Sequence, residues 1–518
     1  MEENKISKGK EILAILLLTM VIGTGTIAWI VWSSKDNTKM NVTIGDLADV
    51  SFKSGNDINI SNLSPSFYYD DGALTEFSIR KKKGLTTELN TNIYLDITSI
   101  SDELKNDNFK YVLLSSSDGN TYNEVISSSF KDAGVGKLDI VTDNPLTDGK
   151  TYYKFYIWID GNNENNETMQ GKSLKGTLNV DVSTPPVNAV TLVEGLDKGE
   201  TGDSGSGVYK VTHSAIPSDS SATGSEIQAV TDYRYYGPNP NNYICLDMEG
   251  GSTCPDKHLY RIIGSIYEEK ENTNRIKVIK ATPLTDGTTS RFSWDYTSSG
   301  SYSNIWATIT SGNYSNSLTS GSQLMELLNS GAWWNGTSGS YYNNSTTATT
   351  VNFTNYKLSD KAKSYITTSR YYLGGYNKSS GVMTNQFYAY ERGTTRYDTN
   401  RPLYWDGMVG LMYSSDYGYA AGNSCVTGTD PFNYIVGCKN KDWLWMTTSS
   451  DYTNTAEWLM LPNSGNSRFV FNVYSSGYVF DSGHSSNTYA VRPVFYLTSS
   501  TSILEGTGEE NNPYIITK

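Results

Sequence analysis

The chain has four cysteines, in two close pairs: Cys245 with Cys254, and Cys425 with Cys438. Neither pair has the C-x-x-C spacing of a zinc knuckle or a dithiol redox site. In an oxidising compartment each pair can close a short loop as a disulfide, although spacing alone does not choose between these local links and cross-pairing. The histidines, His213, His258 and His484, lie in separate segments with no H-E-x-x-H run, so they read as satisfied or exposed side chains. Serine and aspartate are abundant, but no G-x-S-x-G elbow frames a nucleophile. No catalytic residue, metal ligand or cofactor is therefore assigned.

Charged residues inside aromatic runs come next. Glu391-Arg392 and Asp416 read either as a polar recognition patch or as internal ion pairs that support long loops, and the second reading is preferred. Arg492 precedes Pro493, which favours extended backbone, and should tie down loop carbonyls or an acid. The remaining candidates are aromatic. Trp333, Trp334, Tyr341, Tyr342, Trp405, Trp443 and Trp445 could stack on sugar rings or anchor a protein partner. About half of them must be core in any fold of this size, and the sequence does not say which half.

These residues need a scaffold, and the patterning describes a β-rich one. Ile93, Leu95 and Ile97 alternate with Asn92, Tyr94 and Asp96, and Phe155, Ile157 and Ile159 likewise share one face of their run. Several short strands at this spacing over residues 41–183 suggest an immunoglobulin-like β-sandwich. Residues 184–230 are rich in Gly, Ser and acid, and read as a flexible spacer with a short strand at Val208–Val211. Residues 231–518 form the largest unit. Leu259–Gly264 and Arg275–Ile279 look like a hairpin, Gln323–Leu328 and Leu358–Ile366 like short amphipathic helices, and Ser359 like an N-cap. Many strands and few helices in one unit mean α+β.

Composition excludes some partners. With 41 Lys+Arg against 54 Asp+Glu the chain is acidic, which argues against nucleic acid. Its 39 Tyr against 14 Phe suit strands with polar outer edges. Ile12 to Trp32 carries no charge and is long enough, at about 1.5 Å per helical residue, to match a hydrocarbon core of about 30 Å. Ile12, Leu16 and Val21 would face lipid, with Trp29 and Trp32 at the interface. A cleaved signal peptide is the rival reading. It fits less well, because more apolar surface follows the small-residue step Thr26-Ile-Ala28. Residues 1–40 thus read as a cytoplasmic tail and single-pass anchor, with the bulk of the chain extracellular.

Two resemblances add to this. The run Tyr152-Tyr-Lys-Phe-Tyr-Ile-Trp-Ile-Asp-Gly-Asn162, then Met169–Lys172 and the strand to Val182, resembles the end of small β-sandwich modules on Gram-positive surfaces, the TasA and camelysin group. That implies a surface or fibre-type module without a catalytic residue. The segments Thr231–Tyr243, Tyr260–Gly264, Tyr390–Thr395, Val409–Tyr413, Ser415–Ala420, Trp458–Pro462 and Val491-Arg-Pro-Val494 are similar to surface-protein modules of Firmicutes and Mollicutes-like gut bacteria. The order Trp-Leu, then Val-Arg-Pro-Val, also resembles the C-type-lectin-like and formylglycine-generating-enzyme-like fold group. Enzymes of that group use reactive cysteines, which would cast Cys425 and Cys438, but no matching oxidase motif accompanies them. The Glu-Pro-Asn and Trp-Asn-Asp triplets of calcium-dependent sugar binding are absent.

The expected architecture is mostly β with α+β: an N-terminal transmembrane helix, a β-sandwich stalk and a C-terminal lectin-like head. The expected function is cell-surface binding or adhesion towards a glycan or protein ligand. A surface enzyme of the formylglycine-generating type and a structural fibre subunit are the alternatives. The apolar C-terminal segments should pair inside the head's main sheet, close to Leu259–Gly264.

Overall fold

The computed structural model describes residues 40–44, 47–83, 88–162, 166–199, 201–301, 303–307, 321–428, 430–431, 436–445 and 456–517. The expected anchor, with Ile12, Leu16, Val21, Trp29 and Trp32, lies outside the described residues. No described helix is long and apolar enough to cross a membrane. The fold is mostly β, in two compact units that divide between Pro185 and Pro186.

The first unit is a β-sandwich. Its larger sheet runs Met40–Ile44, Ala48–Phe52, Ala73–Lys81, Lys150–Asp160, Phe109–Ser116 and Asn123–Ser129, with Pro65–Ser66 added beside Lys150–Asp160. Its smaller sheet runs Asp57–Ser61, Ser173–Ser183, Leu89–Ile100 and Gly136–Leu146. Period-two alternation makes the core. Ile93, Leu95 and Ile97 from one sheet meet Phe155, Ile157 and Ile159 from the other, and all six are buried. Gly176 sits at a break in register beside Leu89–Ile100, where a Cβ would come 2.6 Å from the Asp96 carbonyl oxygen.

The second unit is built on a ten-stranded sheet. Its main path is Val187–Asn188, Ser502–Glu505, Tyr514–Thr517, Tyr243–Cys245, Leu259–Glu268, Thr273–Lys280, Val494–Leu497 and Ile366–Thr367. Val230–Tyr236 also pairs with Leu259–Glu268, and Gly207–His213 pairs with Val230–Tyr236. The expected hairpin is present; Val494–Leu497 pairs with its second strand, Thr273–Lys280, while Tyr514–Thr517 lies one strand beyond its first, paired with Tyr243–Cys245. The expected helices form at Gln323–Asn329 and, more briefly, at Asp360–Ser364, where Ser359 Oγ accepts from the Ala362 amide at 3.1 Å.

One expectation fails here. Residues 186–230 are not a flexible spacer but part of the second unit, which therefore starts well before residue 231. A helix at Ala189–Gly195, capped by the Asn188 side chain, buries Ala189 and Val193 in the main core. Gly207–His213 pairs along its whole length with Val230–Tyr236, and Ile216 bridges to Ile227. The polar, glycine-rich loops on either side hide these short apolar segments from a compositional reading. Their burial comes from long-range pairing, not from local pattern.

Candidate functional site

A cleft of about 360 Å³ opens beside the helix Gln323–Asn329. This helix starts at Ser322, whose Oγ accepts from the Met325 amide at 3.1 Å, and buries Leu324, Met325, Leu327 and Leu328 against the core. Gly331 turns the chain closely: a Cβ there would lie 2.8 Å from the Leu327 Cα. The short helix Ala332–Asn335 follows and ends at Gly336 in the left-handed region, with φ +65°. A hairpin of Ser338–Tyr341 and Thr349–Asn352 closes the other side.

Gln323 fastens the hairpin to the helix. Its Nε2 donates to Ser293 Oγ and to the Tyr342 carbonyl, both at 2.8 Å, and its Oε1 accepts from the Tyr342 amide at 3.1 Å. Tyr341 OH donates to the Ser293 carbonyl at 2.6 Å. The cleft between them is lined by Glu326, Leu327, Ala332, Gly339, Ser340 and Tyr342, among others. Among the described residues, Ser338–Tyr341 pairs only with Thr349–Asn352, so one edge of the strand stays open. An acid, a hydroxyl, an aromatic ring and this strand edge line the cleft together. No histidine stands beside Ser340 to activate it: His213 bonds Asp232, His258 bonds Glu249, and His484 lies near Ser298. Among the described residues, no group of three His, Cys, Asp or Glu is placed to hold a metal.

The structure gathers four of the seven candidate aromatics here and disperses three. Trp333 and Trp334 lie 6.4 Å apart on the short helix, Tyr341 ends the hairpin strand and Tyr342 follows it. Trp405 lies elsewhere, 6.3 Å from Trp306 and 5.7 Å from Tyr371. Trp443 sits under Arg261 and donates from Nε1 to the Tyr235 carbonyl. Trp445 packs under Lys439. Trp333, Tyr341 and Trp443 are buried, Tyr341 in the wall of the cleft, which corrects their reading as exposed stacking residues. Trp334, Tyr342, Trp405 and Trp445 are half-buried.

The charged residues form internal pairs. Asp416 accepts from Arg234 Nη1 at 2.9 Å, from Lys277 Nζ at 2.5 Å and from the Tyr413 amide at 3.0 Å. Arg234 reaches back to Asp232, which also holds His213 at 2.8 Å. Burial raises the Asp232 carboxyl, but Arg234 and His213 outweigh it and hold the group well below the ordinary range. Burial likewise lowers the Lys277 amine despite Asp416. Glu391 accepts from the Ser415 amide and hydroxyl at 2.9 and 2.6 Å, and burial pushes its carboxyl up to about 7 against the pull of Arg392. Arg492 binds both oxygens of Glu457 and the Leu444 carbonyl, so it holds an acid and a loop carbonyl together. Sequence reasoning missed Asp232, Arg234, Lys277 and Glu457. The available signal was charge at strand positions where apolar residues were expected.

Both local cysteine pairs are disulfides, Cys245–Cys254 and Cys425–Cys438. No free thiol remains. Comparison with protein-family models and with curated proteins finds no match to the chain.

Proposed function

We propose that this is a bacterial cell-surface binding or adhesion protein, anchored by Ile12–Trp32, with a stalk-like sandwich and a ligand-binding second unit. The observation that carries the reading is the cleft beside Gln323–Asn329. It joins a rigidly fastened hairpin with an open edge to the half-buried Tyr342 ring and the Glu326 carboxylate. A glycan or an extended protein segment outside the cell fits that lining. In this reading the sandwich is an immunoglobulin-like module of the TasA and camelysin kind, and the second unit is lectin-like. Its first strand, Val187–Asn188, and its last, Tyr514–Thr517, both pair with Ser502–Glu505, one on each side, which suits a head mounted through one end. The bond between Cys425 and Cys438 supports a structural role for them over the reactive role they would have in the formylglycine-generating alternative.

The test is a glycan and peptide array probed with the full chain in detergent. Binding that falls about tenfold or more in Tyr342→Ala and Glu326→Ala supports the reading. Binding indifferent to both variants, or none across the array, rejects it. For the anchor, recovery of the chain in the membrane fraction with its N-terminus intact is expected, and mature protein starting near Trp29 would reject that placement.

A further inference from the structure

Among the described residues of the sandwich, the large apolar side chains left exposed are Phe67, Tyr68, Tyr69, Leu74 and Val135, and Phe67, Tyr68 and Val135 are the most open, at 68, 69 and 75%. All five lie at one end. Ile159 pairs with both Pro65 and Phe109, and the Phe130 amide donates to the Phe109 carbonyl. The loops 62–72 and 130–135 therefore both cap the Asp160 end of the larger sheet. Tyr69 lies edge-on to Tyr156, with ring centroids 5.2 Å apart, and 6.1 Å from Trp158. Ser66 Oγ donates to Asp71 at 2.6 Å and accepts from the Tyr68 amide at 3.1 Å. The loop is braced from within while Phe67 and Tyr68 stay in solvent.

The chain enters the sandwich from this same end. Met40 pairs with Phe52, Phe52 with Phe77 and Phe77 with Tyr153, whereas Ile44 is level with Lys81 through Ala48. Met40–Ile44 thus runs away from the Asp160 end, and its first residue faces that end. Residues 33–39 are all that separate Met40 from Trp32. At no more than about 3.6 Å per residue, this tether reaches about 29 Å. The rise from Tyr153, level with Met40, to Asp160 is about 23 Å at about 3.3 Å per residue. A tether that starts at a membrane interface therefore leaves only a few ångströms between that interface and this end of the sandwich. Ser173–Ser183 begins beside Ser61 at the same end and finishes opposite Asn90, so the chain leaves the sandwich at the other end.

Charge at the aromatic end is already paired. Lys105 holds Asp102, Lys110 holds Asp160, Lys131 holds Asp107 and Lys172 holds Glu103. Asp70 and Asp71 add acid next to Tyr69. Such a surface has no basic cluster to seek anionic lipid. Its attraction to a bilayer comes from the rings, whose apolar bodies and polar tips suit the interfacial layer.

We propose that this end of the sandwich docks on the bilayer that holds the anchor, with Phe67, Tyr68 and Tyr69 in the interfacial layer. The assignment rests on the reading of Ile12–Trp32 as an uncleaved anchor. It is independent of the cleft beside Gln323–Asn329.

The test uses the full chain reconstituted in phosphatidylcholine vesicles. Both native cysteine pairs are bonded, so Tyr68→Cys supplies a single thiol for a dye, and Asp148→Cys at the opposite end is the control. A lipid carrying a nitroxide near its headgroup should quench the dye severalfold more at the Tyr68→Cys site than at the control. Adding Phe67→Ser and Leu74→Ser should weaken that quenching at least about twofold, and phosphatidylserine should not strengthen it. Equal quenching at the two sites, in a chain that alkaline carbonate does not extract, would overturn the docking and leave the anchor standing. Extraction of the chain by carbonate would reject the anchor and the docking with it. Quenching that depends on phosphatidylserine would overturn the proposal, as would excimer emission from pyrene at the Tyr68→Cys site, the mark of a second copy on this surface.

Discussion

Lys277 Nζ lies 2.5 Å from Asp416 Oδ2, and each side chain is 1% exposed. The two residues are 139 positions apart in the chain, one on a central strand and the other in the first turn of the helix Ser414–Ala420. Arg234 approaches the other oxygen of the same carboxylate. This junction ties the helical layer to the sheet.

Removing the acid should therefore be far worse than removing a surface charge. Asp416→Asn leaves two buried cations facing a neutral group, and breaking a buried pair in this way costs about 3–5 kcal/mol. Chemical denaturation should show a loss of that size. A surface control, Lys53→Ala at the exposed Lys53–Glu76 pair, should move the midpoint little. Equal small effects would mean that the junction carries no stability.

Glu391 supplies a pH dependence of definite sign. Burial raises its folded-state carboxyl from 4.5 to about 7, opposed by Arg392 and Ser415 and reinforced by Asp416. Below about pH 4.5 the group is protonated in both states and its contribution is fully present. As pH rises through about 7 the buried carboxyl must ionise, and that contribution is lost. The stability difference between wild type and Glu391→Gln should shift against the wild type by a few kcal/mol between pH 4.5 and 8. A flat difference would show that Glu391 stays ionised in the fold.

The disulfides are checked by mapping and by removal. Non-reducing peptide maps should link Cys245 to Cys254 and Cys425 to Cys438, with no cross-linked peptide. Replacing Cys425 and Cys438 together by Ala should cost about 2–4 kcal/mol, read from the denaturation midpoint of the second unit. Free thiols in protein taken from the cell surface would contradict both the pairing and the compartment.

Deleting residues 488–518 should unfold the second unit, not trim it. The deletion removes Val494–Leu497 from between Thr273–Lys280 and Ile366–Thr367, and Tyr514–Thr517 from beside Tyr243–Cys245. It also takes Arg492 from the buried Glu457, which would be left unpaired. A truncated chain whose second unit stays protease-resistant and unfolds cooperatively would refute this account of the sheet.

Much of this architecture was legible in the residues alone. Alternation at Ile93–Ile97 and Phe155–Ile159 assigns inward faces, because side chains in a strand point to opposite sides with period two. Ser359 announces a helix start by its hydroxyl, and the close cysteine pairs match the local bonds found. These features depend on neighbours in the chain, so local chemistry determines them. Tertiary structure decided the rest. Residues 186–230 look like linker until Val187–Asn188 finds Ser502–Glu505 and Gly207–His213 finds Val230–Tyr236. Trp333 and Trp334 are adjacent and alike in sequence, yet one is core and the other half-buried, because only the docking of the helix settles which face is covered. Lys277 reads as an ordinary charge, and Asp416 as an internal pair without a named partner, until folding brings the two together out of water. A buried charge acquires its role from partners that local sequence does not contain.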